Sequence, residues 1–323
     1  MTLTVNDLCK CVCFHYHLLQ VKNSPAMHLS RLLQRLKCVP VSCDMLFGSN
    51  SCRHKSTLQG TMDRYHGITV DVIQQIEPTT STANFYRVLE TSVRQWRSEQ
   101  VSAAWLKFPI HYSRYIEAAA GLGFEFHHAE GSTCLLKRWL REDREDATPR
   151  FATHQLGVCG VVLREDTNEL LMMQEKKTQF RNWKFPGGLA DLGEDIGAAA
   201  VREVQEETGI RTDFKSVIAY RQQHEHPSAF GRSDMYVVCR LAPSSFDIVP
   251  CDHEVLQCQW MSIKALKGQM EIAPITNRII SLVLYGLEHG FDHVDVCGER
   301  MKSVYKGQHF KLFHRPLPSE YRK

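Results

Sequence analysis

Apolar positions along this chain keep two rhythms, and the rhythms take turns. Phe85, Val88, Leu89, Val93 and Trp96 recur at helical spacing and predict a helix over 83–98. Strand-like apolar runs flank it at 68–72 and 101–108. A second helix is expected over 113–122, and 124–128 with 133–139 reads as a hairpin. The βαβαββ order predicts a small α/β domain over 61–140. It closes at the charged run Arg141-Glu142-Asp143-Arg144-Glu145-Asp146, followed by Pro149. This defines a linker over 141–152. His127 and His128 share a strand there, and adjacent strand residues are expected on opposite faces, so the pair reads as structural rather than metal-binding.

The rhythm resumes with a strand over 155–163, a turn at 164–168 and a returning strand over 170–174. Trp183 and Phe185 mark a short apolar strand. Further strands are expected over 217–224 and 234–241, and another ends at Trp260-Met261. A helix over 275–285 closes a second domain, 153–290. A basic leader (1–60) precedes both domains, and an extension (291–323) follows them.

Chemistry concentrates between Gly188 and Ile210. Gly188 is followed after five residues by Glu194, and after seven more by Arg202-Glu203-Val204-Gln205-Glu206-Glu207-Thr208-Gly209-Ile210. On a helix turning about 100° per residue, Glu203, Glu206 and Glu207 share one face. Val201, Val204 and Thr208, with Gly197 and Ala200, take the other and would face a core. Acids at i, i+3 and i+4 repel one another. A solvated acidic helix with ordinary i,i+4 pairing is one reading. A divalent cation held by oxygen ligands is the other, and points to Mg²⁺ or Mn²⁺. Arg202 and Glu206 are i,i+4 partners. Gly187-Gly188 forms a turn where a backbone carbonyl can approach a metal, and Gly209 suits a helix C-cap.

This spacing resembles the signature of the Nudix hydrolases at every signature position. The resemblance implies an α/β/α sandwich on a mixed sheet, here preceded by the small α/β domain. It also implies cleavage of the pyrophosphate linkage in a nucleoside diphosphate joined to another group. By position, Glu206 and Glu207 would ligate the metal, Glu203 would ligate it or act as base, and Arg202 would orient Glu203. The Gly188 carbonyl would complete the ligand shell, with Glu194 a structural carboxylate. Glu254, six residues before Trp260, is a further candidate base or ligand, weighed against an exposed loop glutamate. Arg221 and Arg232 are candidate nucleotide-binding cations. Candidate substrates include ADP-ribose, reduced dinucleotides, coenzyme A derivatives and capped nucleotides. Pro227 lies near the place of a proline that marks ADP-ribose-cleaving members. The flanking segments resemble family members linked to control of cell proliferation. A regulatory nucleotide- or protein-binding role with incidental hydrolysis is the alternative.

Charge refines the picture. Residues 1–43 hold five bases against Asp7, net +4, leaving 34 bases against 35 acids in the remainder. The rest of the chain is thus neutral, with no strong nucleic-acid signal. Within the leader, Leu29, Leu32, Leu33 and Leu36 fall opposite Arg31 and Arg35. Such a helix over 27–37 suits a transit peptide. The competing reading is a disordered or alternatively started leader. The 12 cysteines contain no CxxC pair, so reduced thiols in an intracellular compartment are expected. Mitochondrial, cytoplasmic and nuclear locations are all consistent. No apolar run reaches membrane-spanning length. The expected partners are a small nucleotide substrate and a second copy of the chain in a homodimer.

Overall fold

The computed structural model describes residues 56–177, 181–227, 229–267 and 271–321. The helix expected over 27–37, and with it the transit segment, lies outside the described residues.

The first sheet draws on β1 (Thr61–Met62), β2 (Gly67–Asp71), β3 (Ala103–Pro109), β4 (Glu125–Glu130) and β5 (Thr133–Trp139), in the order β1-β2-β3-β5-β4. Only β2 and β3 run parallel. A parallel pair needs a crossover, and α1 (Thr82–Ser98) supplies it. The Ser81 hydroxyl caps α1 by accepting from the Asn84 N–H, and the helix buries Phe85, Leu89, Val93 and Trp96 in one cluster with Val70, Leu106 and Leu136. The helix expected over 113–122 is shorter. A 3₁₀ segment, Ile110–Tyr115, precedes α2 (Ile116–Gly121). At three residues per turn Tyr112 and Tyr115 lie on one side, both buried, and their hydroxyls donate to Ile76 O and Thr80 O.

The expectation that His127 and His128 lie on opposite faces fails as well. β4 slips register against β5 between Phe126 and His128, a bulge that brings the His127 and His128 Nδ1 atoms to 2.7 Å. The linker then crosses the sheet face that bears these rings. Asp146 and Thr148 meet Lys137 Nζ, Pro149 O accepts from His127 Nε2 at 2.9 Å, and Phe151 stacks on His128.

The second sheet uses β6 (His154–Arg164), β7 (Glu169–Glu175), β8 (Thr212–Gln223), β9 (Ser233–Pro243) and β10 (Val255–Ser262), in the order β10-β7-β6-β9-β8. It is mixed, since β6 and β9 are parallel and the other pairs antiparallel. Along β6 the residues alternate between two cores. Val158 and Val162 join Ala199, Ala200 and Val204 of α3 (Ile196–Thr208). Cys159, Val161 and Leu163 join Ile279, Ile280 and Val283 of α5 (Pro274–His289), with the one-turn α4 (Ile263–Leu266) on the same side. Two helical layers thus enclose the sheet as an α/β/α sandwich. The extension folds into a hairpin of β11 (Cys297–Lys302) and β12 (His309–His314), joined to the N-cap of α3 by a Lys311–Asp195 ion pair of 2.6 Å. Among the described residues, no helix is long and apolar enough to cross a membrane.

Candidate active site

A gap in the second sheet creates the site. β6 and β7 pair only at Leu163–Leu170 and Arg164–Glu169, then part. Segment 183–190 fills the gap: Lys184 exchanges backbone hydrogen bonds with Met173 of β7, while Pro186 O and Gly188 O accept from the Gly160 and Val158 N–H groups of β6. A Cβ on Gly187 would stand 2.2 Å from Val158 O, so only glycine allows this approach. The Gly187 N–H faces the other way, donating to Glu207 Oε2 at 2.7 Å. The Gly188 carbonyl, the expected ligand, has one lone pair engaged by the Val158 N–H at 2.8 Å.

Helix α3 is fixed at both ends. Asp195 caps its N-terminus through the Gly197 N–H, and Gly209 ends it at φ +75°. Its acidic side presents three carboxylates in unlike settings. The Glu206 side chain is 60% exposed and Glu203 14%, while Glu207 as a whole is only 6% exposed. A uniform solvent-facing acidic face is thus not what the fold produces. Burial pushes the Glu207 carboxyl up to about 7, opposed by Lys184 and the Gly187 N–H. Burial also raises the Glu203 carboxyl, against the pull of Arg202.

Arg202 organises the cluster. Its Nε and Nη2 fork onto Glu194 at 2.9 Å each, and Nη1 reaches Glu203 at 2.8 Å and Glu206 at 3.1 Å. Nη2 also donates to Leu189 O at 3.1 Å, tying the helix to the glycine segment. The Arg202 hydrogen bonds hold the Glu194 carboxyl at about 2.

These groups open onto a cavity of about 430 Å³ lined by Gly187, Gly188, Arg202, Glu203, Glu207 and Glu254. Glu254 arrives because loop 251–254 is stitched to the ends of α3 and β7: Cys251 N–H donates to Glu207 O at 2.9 Å, and Lys176 N–H donates to Glu254 O at 2.8 Å. Arg221 and Arg232 line other surroundings. Arg221 pairs with Asp234 and covers the Tyr236 ring, while Arg232 donates to Phe151 O and lines a different cavity with Lys137. Sequence reasoning passed over Glu175 and Lys177, which line the acidic cavity, and Lys184, whose ammonium pairs with Glu175. Glu175 ends the returning strand five residues beyond the last β6–β7 pair, Leu163–Leu170; that break in pairing has no signature in the residues themselves.

The donor set suits a hard divalent cation: carboxylates and a backbone carbonyl, all oxygen. Glu207 supplies a specific reason. It is a buried carboxyl with no ion pair among the described residues, the setting in which a metal offsets the cost of ionisation. Glu203 and Glu206 are engaged by Arg202, and among the described residues no three His, Cys, Asp or Glu side chains form a ready-made ligand cage.

Comparisons with known proteins give the chain its class. A model described as NUDIX domain matches residues 153–281, and one described as Nudix hydrolase domain matches residues 58–140. The chain is 46% identical over 270 residues to nucleoside diphosphate-linked moiety X motif 6 of Homo sapiens, covering 82% of this chain and 84% of that one. It is 48% identical over 209 residues to the Xenopus laevis protein of that name, covering 65% of this chain and 96% of the other. Nudix hydrolase 7 of Arabidopsis thaliana is 37% identical over 215 residues, covering 66% of this chain and 74% of the plant protein. The chain belongs to the Nudix hydrolase family and is an enzyme of that family.

Proposed function

We propose that this enzyme hydrolyses the pyrophosphate bond of a nucleoside diphosphate linked to another group, with Mg²⁺ or Mn²⁺ as cofactor. The observation that carries the reading is the buried Glu207 carboxyl beside Glu203, without an ion pair among the described residues, within a cavity where Glu175, Asp191, Glu203, Glu207 and Glu254 outnumber Lys177 and Arg202. Such a cavity repels a pyrophosphate on its own, so the substrate needs a cation between it and these acids.

Glu203, Glu206 and Glu207 would hold the cation, with a carbonyl of the Gly187–Gly188 turn. When bound, it neutralises phosphate oxygens and acidifies a water. Arg202 fixes Glu203 while its fork stays committed to Glu194. Glu203, whose proton affinity burial raises, takes the proton from the attacking water; Glu254, across the cavity, is the second candidate base. Arg221 and Arg232 would serve substrate parts extending beyond the acidic cavity. We read residues 61–140 as a domain that supports this site, through contacts within the chain or as a homodimer. The flanking similarity extends the proposal to a part in cell-proliferation control.

Hydrolysis in ¹⁸O-water tests the chemistry. Attack at phosphorus places the label on a phosphate of one product. Label on the sugar or base, with unlabelled phosphate, contradicts it.

A further inference from the structure

The linker-crossed face of the first sheet holds a cavity of about 510 Å³ that shares no lining residue with the acidic cavity. Its floor is small-sided, formed by Gly67 and Ala103 on neighbouring strands β2 and β3. Its walls are aromatic: Tyr65, Trp105 and Trp139. Trp105 lies opposite Lys137, and Ala103 opposite Trp139, so the two indoles are diagonal neighbours on one face of the β3–β5 pair, with Ala103 between them.

Both indoles are held in place. Trp139 Nε1 donates to Arg144 O at 3.1 Å, so the linker fixes that ring. Trp105 meets the His127 ring in a T-shaped contact, centroids 5.0 Å apart. Such walls are organised in advance of any ligand, which lowers the entropic cost of stacking on them.

One polar group is set into this frame with the same care. Asp63 Oδ1 accepts from the Tyr65 N–H at 2.7 Å and the Gly67 N–H at 2.8 Å. The carboxylate cannot rotate without losing both. Its Oδ2 occupies the space a Cβ on Gly67 would take, 2.6 Å from that position. Among the described residues nothing donates to Oδ2, so the cavity offers one fixed, charged acceptor at the edge of an aromatic slot.

We propose that this cavity binds the amino-bearing base of a nucleoside, with the ring between the aromatic walls and its exocyclic amine donating to Asp63 Oδ2. An aromatic cage with a carboxylate also suits a methylated ammonium ion. Two features favour the base. The volume far exceeds what a trimethylammonium group fills and lies in the range of small-molecule sites. The positive charge of Arg144, one of the lining residues, also disfavours a cation.

Adenosine tests this directly, because it has an exocyclic amine and no pyrophosphate bond to be consumed. Inosine, with a carbonyl at the same ring position, is its counterpart. Calorimetric titration of the full chain should show saturable adenosine binding, tighter than inosine by roughly tenfold, the effect of one hydrogen bond to a charged partner. Asp63→Asn is the decisive variant. Its retained oxygen still accepts from both backbone N–H groups, while an amide donor replaces Oδ2. It should weaken adenosine by about tenfold and bring inosine level with it or ahead. Trp139→Leu should weaken both nucleosides alike. Failure to bind adenosine, or binding indifferent to Asp63→Asn, overturns the proposal. So does saturable choline binding that Trp139→Leu abolishes while adenosine does not compete.

Discussion

Glu207 stands under two opposed demands, and they can be measured apart. Its carboxyl sits near 7 in the folded chain because burial disfavours the charge, against an ordinary value of 4.5. Between those pH values the folded state holds the proton more firmly than the unfolded state. Stability of the metal-free protein therefore falls as pH rises across that window, by up to about 3 kcal/mol above pH 7. Glu207→Gln keeps an acceptor for the Gly187 N–H and removes the charge. Thermal melts of metal-free protein should show the variant more stable than wild type at pH 8 and nearly equal to it at pH 4.5. A variant less stable at pH 8 would mean that the charge is already compensated. Arg202 permits a second test. Lysine keeps the charge but cannot fork onto Glu194 while reaching Glu203 and Glu206. Arg202→Lys should lower turnover by about tenfold or more while changing substrate KM little, because it disturbs the alignment of Glu203 rather than the binding surface. Unchanged turnover would show that Arg202 only holds the helix to its loop.

At the scale of elements, α3 and the turn before it carry the site, so their ends should be sensitive. Gly209 sits at φ +75°, and a Cβ there would stand 2.9 Å from Val249 Cβ. Gly209→Ala should cost about 1 kcal/mol for the left-handed backbone, plus more for the clash, in denaturant titration. A loss well under that would mean that the loop after α3 yields freely. Much of this element is legible in the residues. Periodicity places α1 nearly to the residue, Gly209 marks the end of α3, and the fixed spacing of acids, arginine and glycines brings Arg202, Glu203 and Glu206 together. Burial of Glu207 is not legible, because it depends on segment 183–190 entering a sheet that parts between β6 and β7. That parting is a tertiary event; Trp183 and Phe185 read as a strand, but the bridges formed there are isolated ones, at Trp183 and Lys184. The bulge at His127–His128 escapes for the same reason, since strand alternation assumes an unbroken ladder. The tyrosine-anchored 3₁₀ turn after Pro109 reads as plain helix because apolar spacing of three suits both.

Across the whole molecule, the linker is packed onto the first sheet on its way to the second. It is no free tether: Asp146, Thr148, Pro149 and Phe151 all contact the face of the first sheet before the chain enters β6 at His154. The isolated portion 150–323 should therefore fold yet lose catalytic efficiency relative to the full chain, as matched kinetics with sedimentation would report. Equal efficiency with an unchanged oligomer would shift weight to the regulatory reading of the first domain. The central claim is that the acid cluster on α3 hydrolyses a pyrophosphate bond only with a divalent cation in place. Its most direct measurement is AMP release from a panel of adenine dinucleotides and nucleotide sugars as Mg²⁺ is titrated, with wild type and Glu207→Gln side by side. The account predicts release that is negligible without Mg²⁺, rises saturably with it, and falls by roughly a hundredfold or more in the variant. Release that is indifferent to Mg²⁺, or that survives intact in Glu207→Gln, would contradict it.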